Sequence, residues 1–182
     1  MLELRFHGRG GQGAVTSAEL LAIAAIAQGK FAQAFPSFGP ERRGAPVMAY
    51  ARIDEARIRN RTAVTSPNVT VVLDPSILRI VNTSDGLVAD GVQIVNTGRS
   101  AAELRESFGL KGRIVTVNAN HIAAEEIGRV ITNTTMLGAL VRATGLVDRE
   151  LLVAEIRSRF GRIADGNIKA FNRAFEECAI EG

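Results

Sequence analysis

Gly8-Arg9-Gly10-Gly11-Gln12-Gly13 joins two stretches of different periodicity. Before it, Leu2 to His7 alternates apolar and polar residues, the pattern of a strand with one face covered. After it, Ala14 to Gln28 is an Ala-, Leu- and Ile-rich run of helical length. A strand that turns through glycines into a helix is the opening unit of an α/β sheet. Glycines at such a junction let the backbone come close to a ligand. They also leave N–H groups at the helix start facing outward, where the helix dipole favours negative charge. The turn predicts a phosphate-bearing guest, with a tight turn that merely packs as the plain alternative.

The chain beyond this turn repeats the strand-then-helix design. Val69 to Leu73, Gln93 to Val95 and Ile114 to Val117 are apolar runs ending in Asp74, Asn96 and Asn118, as expected of strands buried on both faces. Helical stretches are predicted at Pro75 to Val81 and Ala101 to Phe108. Asn133-Thr-Thr-Met-Leu-Gly-Ala-Leu140 starts a further helix, with Asn133 as a candidate cap and Gly145 as its stop; Asp148 to Phe160 and Asn167 to Ala179 read as two more. Val47 to Ile53 alternates, Asp54-Glu55 turns, and Ala56 to Arg61 alternates again, which reads as a β-hairpin with Arg57, Arg59 and Arg61 on one face. The predicted fold is α/β. It is a Rossmann-like, three-layer domain over 1–182, with a largely parallel central sheet, an antiparallel hairpin and C-terminal helices. In such sheets ligands bind at the carboxyl ends of the strands, where the glycine turn lies.

Local spacing separates the phosphate ligands. Gly8, Gly10 and Gly13 fit the dinucleotide fingerprint, but the acidic residue that should hold a ribose about 20 positions later is missing, since Gln33-Ala-Phe-Pro36 stands there. Ala14 and Val15 stand where a Walker A loop needs Lys and Ser or Thr, which argues against NTP hydrolysis. A second loop, Pro36-Ser-Phe-Gly-Pro-Glu-Arg-Arg-Gly-Ala-Pro46, is stiffened by its prolines and exposes Arg42 and Arg43. Guanidinium groups are always charged and grip phosphate oxygens bidentately. Two loops of this kind, each after a strand, predict a shared anion site; a solvated arginine pair is the alternative.

Composition removes other chemistries. Nineteen of 22 basic residues are arginine and the net charge is +3, but the arginines are scattered and aromatics are few, so nucleic acid is not the expected partner. The longest apolar run, Leu20 to Ala27, falls far short of the roughly 20 residues that span a bilayer. No signal peptide is predicted. Cys178 alone cannot close an internal disulfide or hold a cluster, and its absence of partners fits a cytoplasmic protein. Besides Cys178 there are only His7 and His121, so no metal site is expected, and no nucleophile–base pairing is apparent around Thr16 and Ser17. A chain shaped for a phosphate ligand yet lacking catalytic groups is expected to belong to something larger, with Arg5 and His7 on the uncovered face of the first strand as candidate partner contacts.

Three motifs in order, His7-Gly-Arg-Gly-Gly-Gln-Gly-Ala14, Ala34-Phe-Pro-Ser-Phe-Gly-Pro-Glu-Arg-Arg-Gly-Ala-Pro46 and Asn133-Thr-Thr-Met-Leu-Gly-Ala-Leu140, resemble the gamma subunit of 2-oxoacid:ferredoxin oxidoreductases of the pyruvate or 2-ketoisovalerate type. The resemblance implies a complex that oxidatively decarboxylates a 2-oxoacid, forms an acyl-CoA and reduces ferredoxin. Thiamine diphosphate and iron–sulfur clusters would sit in alpha, beta and ferredoxin-like delta partners, with ferredoxin as the acceptor and a homodimer as the form open to the isolated chain. It also implies a contact with coenzyme A. On that reading the backbone of Gly8, Gly10, Gly11 and Gly13 and the side chains of Arg42 and Arg43 hold its phosphates. Arg9 assists or touches a partner, and Gln12 and Asn133 position the ligand.

Overall fold

The computed structural model describes residues 1–37 and 44–181. β1 (Leu2–Arg9) runs into α1 (Ala14–Ala27), followed by β2 (Phe31–Pro36) and β3 (Pro46–Asp54). β4 (Val69–Val72), a short 3-10 helix (Pro75–Arg79), β5 (Val92–Asn96), α2 (Ala101–Phe108) and β6 (Arg113–Val117) come next. α3 (Ala119–Glu126), α4 (Asn133–Thr144), α5 (Arg149–Phe160), α6 (Ala164–Glu177) and the edge strand β7 (Ala179–Glu181) complete the order. The sheet order is β2-β3-β1-β4-β5-β6-β7. β1, β4, β5 and β6 pair in parallel, whereas β3 is antiparallel to both β1 and β2, and β7 to β6.

Alternation within the strands sorts the two faces. Leu4, Phe6, Val71, Ile94 and Val115 point into a core built with α1, α4, α5 and α6. Val72, Val95 and Ile114 point the other way, onto Ile77 and Leu78 of the 3-10 helix and Ala101 and Leu104 of α2. The result is the expected three-layer α/β arrangement.

The predicted hairpin is corrected in its partner. Ala56 to Arg61 is not a strand; the hairpin consists of β2 and β3. The cause is topological, because β1 and β2 already occupy both edges of β3 and leave no ladder free. The Asp54 carboxylate accepts from Ala56 N at 3.1 Å and bends the chain away, and Ile58 tucks in while Arg57, Arg59 and Arg61 stay exposed. The expectation that Arg5 and His7 face outward is also overturned. Both are buried, because the segment around Thr83 and Asp85 folds over that face, and the Arg5 guanidinium donates to Thr83 O and Asp85 O. Asn133 is not the cap of α4. Thr132 holds the cap position without a side-chain bond, and Asn133 is the first helical residue, buried against α1.

Candidate functional site: the glycine turn and its two cavities

Among the described residues, no side chain caps the start of α1. Gly13 is the cap residue, at φ +81°, and contributes no side-chain bond to the helix; no acidic residue occupies the first turn. The first-turn amides of a helix have no intrahelical acceptor, so they and the dipole remain available to an anion. A cavity of about 270 Å³ opens there, lined by Arg9, Gly11, Gly13, Ala14, Val15, Thr16 and Val47. Gly13 is held to glycine twice over. Its φ lies in the left-handed region, and a Cβ would come within 2.8 Å of Asn133 Nδ2. Asn133 thus packs directly behind the turn, with its Oδ1 buried and without a hydrogen-bond partner among the described residues.

The predicted residues divide by role. Gly8 lies within the β1 ladder opposite Val47, and Gly10 N donates to Ala45 O at 2.9 Å while Gly44 N donates back to Gly10 O at 3.2 Å. These bonds stitch the end of the second loop to the glycine turn, so the two loops are neighbours as the sequence implied. Arg42 and Arg43 themselves lie outside the described residues. Arg9 is committed within the chain: Nη1 donates to Gly44 O at 3.0 Å, Nη2 donates to Ser76 Oγ at 2.8 Å, and Nε stands 3.3 Å from Asp74 Oδ2. Gln12 is a brace. Its Oε1 accepts from Arg9 N at 2.7 Å and its Nε2 donates to Asp74 Oδ2 at 2.8 Å.

Asp74, at the end of β4, reads in the sequence as a residue at the ligand-binding end of a strand and equally as a helix cap. It does cap the 3-10 helix, accepting from Ser76 N at 2.9 Å, but it also faces the turn. Partial burial works to raise its pKa. Bonds from Ser76 and Gln12 and the Arg9 charge outweigh that, so the carboxyl is held below the usual range and stays ionised. A second cavity, about 340 Å³, lies on this side of the turn, lined by Gly11, Gln12, Leu73, Asp74, Pro75, Ser76, Asn120 and Val130 to Thr132. Its far wall went unread in the sequence. Val130 and Ile131 are 63% and 41% exposed, an apolar pair just before the Asn133 motif whose outward placement no periodicity announces. Among the described residues no group of acidic, His or Cys side chains is arranged to hold a metal ion, and no helix is long and apolar enough to cross a membrane.

The model of the pyruvate ferredoxin/flavodoxin oxidoreductase family matches residues 3–177. The chain is 51% identical to the pyruvate/ketoisovalerate oxidoreductases common subunit gamma of Pyrococcus abyssi, over 99% of this chain and 98% of that protein. The crystal structure of pyruvate oxidoreductase subunit PORC from Thermotoga maritima is similar with a TM-score of 0.88 and 40% identity, over 100% of this chain and 98% of that one. The solved 2-oxoglutarate:ferredoxin oxidoreductase of Magnetococcus marinus shares the fold, with a TM-score of 0.75 and 19% identity over 95% of this chain and 30% of that longer one. With its glycine turn, sheet order and nearly full-length matches, the chain belongs to the pyruvate ferredoxin/flavodoxin oxidoreductase family.

Proposed function

We propose that this chain is a single-domain gamma subunit of a cytoplasmic 2-oxoacid:ferredoxin oxidoreductase and that it presents coenzyme A to a reaction centre in partner chains. Those partners, of alpha, beta and ferredoxin-like delta type, carry the thiamine diphosphate and iron–sulfur clusters, and ferredoxin takes the electrons. The relatives' names support the subunit assignment, and the Magnetococcus marinus enzyme was solved with coenzyme A and succinyl-CoA bound. The observation that carries the ligand reading is the uncapped start of α1, opening into a cavity beside the stitched second loop. A pyrophosphate there meets the first-turn amides, with Arg42 and Arg43 supplying positive charge from the second loop.

The test is the double substitution Arg42→Ala and Arg43→Ala in the assembled enzyme. Loss of charge-assisted bonds should raise the KM for coenzyme A by about tenfold or more, with the KM for the 2-oxoacid unchanged. An unchanged KM for coenzyme A would leave the chain as a purely structural subunit.

A further inference from the structure

Arg57, Arg59 and Arg61, in the loop after β3, are exposed, and none lines either cavity of the glycine turn. The loop that carries them is anchored to the sheet. Ile58 is buried, and its carbonyl accepts from Gln33 Nε2 at 3.2 Å; the Thr62 carbonyl accepts from Arg52 Nη2 at 2.7 Å. Gln33 belongs to β2, and Arg52, fully buried, to β3. The two carboxylates just before the loop are engaged elsewhere, Asp54 with the N-terminal amine at 3.0 Å and Glu55 with Lys30 at 3.8 Å. Three guanidiniums thus stand on one short, anchored loop. Acidic groups relieve their mutual repulsion and are gripped bidentately.

The strand to which this loop is tied has an open edge. Ser37 N donates to Met48 O at 2.8 Å, which sets the phase of the β2–β3 ladder. In the observed register Phe31, Gln33 and Phe35 then bond to β3, while Ala32 and Ala34 aim their N–H and C=O groups away from it. Among the described residues no strand pairs with β2 on that side. Sheet edges are commonly guarded by lysines, inward-pointing charges or bulges. Phe31-Ala-Gln-Ala-Phe-Pro36 carries no charge, and its register with β3 runs without a bulge. Only Pro36, at its end, withholds a donor. The two faces of the strand differ. Gln33 lies on the side of the arginine loop, whereas Ala32 and Ala34 pack toward the core beside α1, whose Ile23 and Ile26 are exposed.

We infer that an extended acidic segment of a partner chain in the assembled enzyme adds to β2 as a further strand. Its backbone bonds to Ala32 and Ala34, the mode by which peptides augment an exposed sheet edge. Side chains alternate across a strand, so its acidic residues fall on the side of Arg57, Arg59 and Arg61 and its apolar ones on the side of α1. A second copy of this chain is a poor match for the edge. Pairing β2 with β2 about a two-fold axis brings two arginine loops together, because each is tied to Gln33 at the middle of the strand. This rests on the chain being a subunit and is independent of the coenzyme A reading.

Hydrogen exchange of Phe31–Pro36, compared between the assembled enzyme and the isolated full chain, tests this. Strand addition should slow exchange there by about tenfold or more in the assembled enzyme. Arg57→Glu, Arg59→Glu and Arg61→Glu together change only exposed side chains. They should leave the thermal midpoint of the isolated chain unaltered, yet remove the slowing or release the chain from the enzyme. Ala34→Pro deletes a donor on the open edge while keeping the bonds to β3, and should do the same. Equal exchange in an enzyme that contains the chain overturns the proposal and leaves the subunit assignment standing. Slowing that survives the charge reversal overturns it as well, since the added strand is then not acidic. An isolated chain that is dimeric, with β2 already protected, gives the edge to a second copy and overturns the proposal too.

Discussion

His7 lies buried in the middle of the sheet, its Nε2 accepting from Arg5 Nε at 3.1 Å. Burial, then the Arg5 charge, holds its pKa down at about 3, against 6.5 for a free imidazole. Below pH 6.5 the unfolded chain therefore takes up a proton that the folded chain refuses, so stability falls as pH drops toward 3 and is unaffected by this group above 6.5. His7→Gln preserves an acceptor for Arg5 and removes the titration. Between pH 7 and pH 4.5, urea unfolding should show the native chain losing about 2 kcal/mol more than the variant; equal losses would mean that His7 protonates freely in the fold. Gly13 supplies a second residue-scale prediction. Gly13→Ala combines a left-handed φ with a collision against Asn133, and should lower unfolding stability by about 1–3 kcal/mol. A thermal midpoint equal to the parent's would show that Asn133 gives way.

Elements that close on local signals were the readable ones. α2 has a full capping box at Ser100 and Glu103, and α5 is capped by Asp148, which accepts from Glu150 N and Leu151 N. Asp148→Ala should accordingly cost about 1 kcal/mol, measurable as a shift in the denaturant midpoint at constant slope. α1 and α4 also emerge from sequence because their stops are glycines or turns, Gly145 at φ +61° for α4. What failed was non-local. The strand expected at Ala56 to Arg61 alternates correctly, but whether an edge is free to receive it depends on where β1 and β2 go. α3 and β7 were not anticipated: α3 is an eight-residue helix with little amphipathic contrast, and β7 is three exposed residues held by one antiparallel pairing. At the site, the glycine turn and its link to the second loop were visible in the spacing. Asp74 turning toward Gln12, and Val130–Ile131 facing a cavity, were not, because each is brought there by elements more than fifty residues away.

On the scale of the molecule, protection is uneven. β1, β4 and β5 lie at the centre of the sheet with both faces covered, whereas β7 is exposed along its length and β2 forms the opposite edge. Hydrogen exchange should therefore be slowest in Val69–Val72 and Val92–Asn96 and fastest in Ala179–Glu181, with β2 intermediate. Uniform exchange across the sheet would mean that it opens as one cooperative unit. The same unevenness frames the candidate site, which is set at the ends of β1 and β4, two of the three central strands. There the Gln12 amide ties Arg9 to Asp74 across the crevice. Such a strut gives the receptacle its form during folding, so a guest need not organise it on arrival. Capture should then proceed in a single kinetic phase, its speed governed by encounter rather than by rearrangement of the host.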